Sequence, residues 1–149
     1  PSVMRGYWND PSATEKALRG GWYHSGDIGH FDSEGYLHVV ARKHDMIISG
    51  GENVYPVELE SILLECPSIS EACVVGLPDE RWGEAVLAVV VLKPGMNMAK
   101  ADVSALFQGR VARYKQPRAV RFMDALPRTA LGKVAKGALR AAIAGAAAA

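Results

Sequence analysis

The spacing of apolar positions along the 149-residue chain changes at about residue 43. Downstream of it, Leu59, Ile62, Leu63 and Cys66 recur at i, i+3, i+4 and i+7, the stripe of an amphipathic helix. Pro56 suits a first helical turn and Pro67 stops the pattern, so the spacing predicts a helix over residues 56–65. Residues 71–76 read as a strand that ends at Leu77-Pro78-Asp79-Glu80. Residues 84–92 are almost wholly apolar, which predicts a strand buried on both faces, and Lys93-Pro94-Gly95 closes it. Val103, Leu106, Phe107 and Val111 mark one face of a helix over 99–112. A short strand over 119–123, a loop over 124–132 and a last helix over 134–143 complete the pattern.

Upstream the pattern is different. Arg5-Gly6-Tyr7-Trp8-Asn9-Asp10-Pro11 is turn chemistry, followed by a short helix from about Ser12 to Leu18. Residues 22–24 and 28–31 read as extended, Asp32-Ser33-Glu34-Gly35 as a turn, and 36–41 as the returning strand. A lone hairpin has too little apolar surface to fold by itself, so this part is expected to belong to a larger domain. The fold class expected is therefore α+β: a small mixed-sheet domain with about three helices, preceded by a β-hairpin. The expected division is 1–42, then 43–144, then an Ala-rich tail over 145–149.

Composition changes this picture little: half the residues are hydrophobic and the net charge is +1, as in an ordinary globular protein. The distribution of charge changes it more. Residues 1–99 carry 7 basic and 14 acidic side chains, whereas residues 100–149 carry 10 basic and 2 acidic. A basic C-terminal third fits a polyanionic ligand, or a solvated helix face. Cys66 and Cys73 form no C-x-x-C, and no Cys/His group has metal-ligand spacing, so two buried thiols in a cytoplasmic protein and no metal site are expected. No apolar run is long enough to span a membrane.

Five places carry candidate chemistry. In Ser25-Gly26-Asp27 the glycine makes a turn that exposes a carboxylate, which either caps that turn or accepts from the two hydroxyls of a ribose. Arg42 ends an apolar strand with a forked cation, by default half of a structural ion pair. Ser49-Gly50-Gly51 lets the backbone take positive φ or approach a ligand closely. Tyr114 to Arg118 puts an aromatic face beside basic groups ahead of a strand; Tyr114 either stacks on a purine or packs in the core, and Arg118 can fork onto phosphate. Lys133, after Gly132 in a loop with few acids, is either a surface lysine or a mobile point charge for phosphoryl chemistry. It is not in a P-loop, since Pro127 stands where the first glycine belongs and Val134 follows the lysine.

Taken in order, Tyr23-His24-Ser25-Gly26-Asp27, the stretch from Arg42 through Ile47-Ile48-Ser49-Gly50-Gly51-Glu52-Asn53 to Pro56, and Pro127-Arg128-Thr129-Ala130-Leu131-Gly132-Lys133 resemble the AMP-forming acyl-CoA synthetases. That adenylate-forming superfamily also includes peptide synthetase adenylation domains and the beetle luciferases. The resemblance implies that Asp27 and Arg42 contact the nucleotide and that Lys133 bridges carboxylate and ATP during adenylation. It further implies a hinge at His44 and a CoA path at Ser49, Gly50, Gly51, Tyr114 and Arg118. The sequence departs from the pattern at Ala41, where glycine is usual, and at His44, where Asp or Lys is usual.

The implied activity is a two-step ligation using ATP, Mg2+ and CoA on a fatty or aryl carboxylic acid. A carrier protein in place of CoA is one alternative; a non-catalytic basic module for nucleic acid or membrane is another. The ligase reading expects no nucleic-acid partner. It expects a lysine acetyltransferase acting on Lys133 as a regulator, because related ligases are acetylated in this segment. The chain alone is expected to be catalytically silent, because no phosphate-cradling glycine loop precedes residue 42.

Overall fold

The computed structural model describes residues 2–147. It divides into two compact units, 1–44 and 45–149. In the first unit, helix α1 (Pro11–Ala17) starts where Asp10 accepts the amide of Ala13 and Pro11 occupies the first turn. Strands β1 (Asp27–Phe31) and β2 (Leu37–Arg42) form an antiparallel hairpin with an irregularity between Ile28 and Gly29. Asp32 holds the turn by accepting the amides of Glu34 and Tyr36, each at 2.9 Å, and it pairs with His38 at 2.7 Å. Those bonds stabilise the ionised form and hold the Asp32 carboxyl below its usual range. Ala41 is the one buried residue of the hairpin, while Phe31, Leu37 and Val39 are exposed. Residues 22–24, expected as extended, lie outside any strand.

The second unit opens with a hairpin that the apolar pattern did not reveal. Strands β3 (Ile47–Ser49) and β4 (Glu52–Val54) are joined by Gly50 and Gly51 at φ 64° and 83°. Two consecutive positive φ values define the tight turn whose twist matches paired strands, and they require residues without a Cβ penalty. Helix α2 (Pro56–Leu64) follows at once. Strands β5 (Ile69–Asp79) and β6 (Gly83–Leu92) then pair antiparallel along almost their whole length. β5 runs past its expected end and takes in Pro78; as the edge strand it tolerates a residue with no N–H to donate. Helix α3 (Lys100–Ala105) is shorter than the pattern predicts, and Gly109 at φ 71° turns the chain away. Strand β7 (Ala119–Phe122) pairs parallel with the second half of β6, and α4 (Lys136–Ala147) ends the described chain. The stretch expected as a tail is helical to Ala147, and residues 148 and 149 lie outside the described residues.

The sheet is mixed, with β4-β3-β6-β5 in order and β7 also on β6, and it is covered on both sides. Val86, Ala88 and Val90 of β6 join Leu59 and Leu63 of α2 and Val103 and Phe107 in one core. Leu87, Val89 and Val91 join Cys73, Val75 and Leu126 with Leu139 and Ile143 of α4 in the other. Alternate β6 side chains point to opposite layers, which is why that strand is apolar throughout. Both cysteines are free; Cys66 is partly exposed, whereas burial pushes the Cys73 thiol up to about 11.

Candidate functional site

Asp27 and Arg42 face each other across the open end of the first hairpin, one residue from each strand. The Arg42 Nε lies 2.7 Å from Asp27 Oδ1, and its Nη1 donates to the Ser25 carbonyl at 3.3 Å. Gly26 at φ 77° makes this turn, and its carbonyl accepts the Lys43 amide at 2.8 Å. Both side chains keep solvent-facing surface, so the pair offers a carboxylate and a guanidinium on one small patch. His44 follows in the turn where the first unit ends.

At one end of the large sheet, Gly50, Tyr114 and Arg118, three of the five residues that sequence proposes for a thiol-bearing nucleotide, come together around a residue that sequence reasoning missed. Trp82 closes the β5–β6 turn, where Asp79 accepts the amides of Arg81 and Trp82, each at 2.9 Å. The Gly50 amide donates to the Trp82 carbonyl at 2.8 Å, and a Cβ on Gly50 would stand 2.8 Å from the indole ring. Gly50 is thus needed twice, for its φ and for its contact with the ring. The Arg118 guanidinium lies 3.9 Å from the ring centroid, a cation–π contact. Trp82, Tyr114 and Arg118, with Arg113, Gln116 and Pro117, line an open cavity of about 620 Å³.

Tyr114 is therefore a surface residue and not a core one. Its neighbour Lys115 is pinned to Glu58 of α2 at 2.8 Å, and that carboxylate holds the ammonium pKa above its usual value. Ser49 is placed differently from its neighbours. It is buried on the same side of β3 as Ile47, and its hydroxyl has no hydrogen-bond partner among the described residues. The signal for Trp82 was available in the sequence: an indole set among Asp79, Glu80 and Arg81, at a turn ahead of an apolar strand.

Lys133 stands at the other end of the same sheet. The loop after β7 folds on itself through an Arg128–Val134 bridge, with the Thr129 amide donating to the Lys133 carbonyl at 2.8 Å. Gly132, at φ 80°, closes the turn onto the Thr129 carbonyl. Arg128 donates to the Gly132 carbonyl at 2.7 Å and pairs with Glu71 of β5, so the loop is tied to the sheet immediately before Lys133. The Lys133 side chain is exposed and has no carboxylate partner among the described residues.

Register measures the separation of the two ends. Gly83, next to Trp82, pairs with Asp79, and Val91 pairs with Glu71. Eight residues of strand at about 3.3 Å each put those points roughly 26 Å apart.

The charge asymmetry also has a local explanation. Arg110 pairs with Glu65, Lys115 with Glu58, Arg128 with Glu71, and Lys136 with Asp45 and Glu60 at 3.7 and 3.4 Å. Four of the ten basic side chains in residues 100–149 are thus paired within their own unit. No helix among the described residues is long and apolar enough to cross a membrane.

Residues 58–133, half of the chain, match the sequence profile of the AMP-binding enzyme C-terminal domain. The chain belongs to that family. An indoleacetate–CoA ligase of Aromatoleum aromaticum is 55% identical over 144 residues, covering 97% of this chain and 28% of that protein. A feruloyl-CoA synthase of an Amycolatopsis species is 49% identical over 140 residues, covering 94% and 28%. The ATP-bound crystal structure of MatB from Rhodopseudomonas palustris superposes with a TM-score of 0.87 at 40% identity, covering 94% of this chain and 28% of that one. The chain therefore spans little more than a quarter of the length of the curated relatives it matches.

Proposed function

We propose that residues 1–149 act as the C-terminal portion of an ATP-dependent acyl-CoA synthetase. In the first step a carboxylate oxygen attacks the α-phosphorus of ATP, pyrophosphate leaves, and an acyl-adenylate forms. Lys133 supplies the compact positive charge for the growing negative charge, and Asp27 and Arg42 hold the ribose. In the second step the sulfur of CoA attacks the acyl carbonyl and AMP leaves. Gly50, Gly51, Tyr114, Arg118 and Trp82 receive the CoA nucleotide and its pantetheine arm. His44 is the hinge about which the small domain turns between steps. Mg2+ enters with ATP as its complex.

The observation that carries this reading is the separation of the two candidate loops. Lys133 and the Trp82 cavity sit at opposite ends of one sheet packed on both sides, beyond strand positions roughly 26 Å apart by strand rise. A rigid unit of that kind presents one loop at a time to an active centre, so two loops for two steps require it to turn.

The acid is carboxylic, of the fatty or aryl class, and the indoleacetate and feruloyl relatives favour an aryl acid. The reading places the enzyme in the cytoplasm and makes Lys133 a substrate for a lysine acetyltransferase, because acetylation would remove the charge that the first step uses. A graft tests the proposal. Residues 1–149 are exchanged for the matching segment of the indoleacetate–CoA ligase, and thioester formation is followed. A folded graft is expected to make indoleacetyl-CoA from ATP, CoA and the acid. A folded graft that makes neither adenylate nor thioester would contradict it.

A further inference from the structure

The turn that carries Gly50 is held by a carboxylate that sequence reasoning passed over. Strand β3 meets β6 through a single residue pair, Ser49 with Gly83, the latter at φ 72°. Along that edge of β3 the Gly50 amide finds the Trp82 carbonyl. The Ile48 amide, two residues earlier, is satisfied by a side chain: Glu84 Oε2 accepts it at 2.8 Å.

The room for that carboxylate comes from a glycine on the neighbouring strand. A Cβ on Gly76 would stand 2.6 Å from Glu84 Oε1, 2.9 Å from its Cδ and 3.0 Å from Ile47 Cγ2. Such a contact has to push the carboxylate aside. Gly76 has a negative φ and so does not need to be glycine for its backbone; what requires a missing side chain is the space that the Glu84 carboxylate and the Ile47 Cγ2 methyl occupy.

We infer that Glu84 is a positioning residue for the second half-reaction: it substitutes for the missing ladder bond at Ile48 and so fixes the Gly50–Gly51 turn against Trp82. This rests on the reading of the Trp82 cavity as the CoA site. Loss of the strut frees β3 to swing about its single remaining pair with β6. The distance between Gly50 and the indole then varies, and with it the floor on which the nucleotide lies.

The test uses the 149-residue chain, with two observables: exchange of the Gly50 amide hydrogen, and the shift of the Trp82 indole N–H during titration with CoA. Glu84→Ala should speed Gly50 exchange and weaken CoA binding, each by about tenfold, the scale of one lost hydrogen bond to a charged group. Glu84→Gln keeps an oxygen acceptor for Ile48 and should stay close to the unsubstituted chain in both. Gly76→Ala should reproduce Glu84→Ala with the carboxylate still present, which separates the strut from charge alone. Amide dispersion reports that each variant is folded.

Gly50 exchange and CoA affinity unchanged in folded Glu84→Ala would overturn the inference while leaving the CoA site standing. Equal losses in Glu84→Gln and Glu84→Ala would overturn it as well, since the acceptor would not be the operative feature. If CoA shifts no Trp82 signal in the unsubstituted chain, the site reading fails first and the positioning role falls with it.

Discussion

In a full-length ligase carrying this segment, Lys133→Ala is expected to slow acyl-adenylate formation by roughly 10²–10³-fold, the range found when one preorganised charge-stabilising group is removed. Conversion of pre-made acyl-adenylate to thioester should stay close to normal. The structure supplies the reasons. The ammonium is exposed and has no carboxylate partner among the described residues, so no internal ion pair has to break before it meets a ligand. The loop beneath it is fixed, by the Gly132 turn and by Arg128 reaching both the Gly132 carbonyl and Glu71. A fixed base under a mobile point charge suits a group that must meet developing charge and then withdraw. Lys133→Arg should rescue poorly, because a planar fork has a different reach and shape from an ammonium. Pyrophosphate exchange and single-turnover thioester formation measure the two steps separately. Equal losses in both would contradict the role.

His44→Pro is expected to have the opposite signature. The chain divides between His44 and Asp45, which places residue 44 at the junction of two compact units. A hinge works by letting one or two residues absorb a large change in φ and ψ. Proline fixes φ near about −65°. It also pushes the preceding residue, Lys43, toward extended conformations. The substitution should therefore favour one arrangement of the units. Adenylation should survive better, because that step does not require the chain to turn once it is in place. Thioester formation should fall by about 10²-fold, the scale of losses from misplacing reacting groups, and acyl-adenylate should accumulate. Undiminished thioester formation in folded His44→Pro would move the pivot elsewhere.

The elements that sequence made legible are those whose burial is two-sided or strictly periodic. Residues 84–92 could only be a strand covered on both faces, and α2 announced itself through Leu59, Ile62 and Leu63 between two prolines. The β3–β4 hairpin was hidden because three-residue strands carry no usable period; only its glycine pair was visible. Helix α3 was overread because Leu106, Phe107 and Val111 keep a helical spacing beyond the helix end, and Phe107 reaches the core from the turn that follows. Asp27 and Arg42 could be named from sequence, but that they are cross-strand partners depends on hairpin register.

The same limit explains Trp82 and Glu84. One is far in sequence from Gly50 and the other from Ile48, and only the antiparallel return of β6 brings each pair together. The basic C-terminal third was legible as a charge excess. Its partners lie on α2, on β5 and at Asp45, contacts that no local window contains.

The central claim is that the two ends of one sheet serve different half-reactions. The most direct test measures both half-reactions for Lys133→Ala and Trp82→Ala in the same full-length enzyme. The account predicts mirror-image losses: Lys133→Ala fails in pyrophosphate exchange and passes in thioester formation, while Trp82→Ala keeps exchange and loses affinity for CoA. Losses that fall on the same half-reaction in both variants would contradict it.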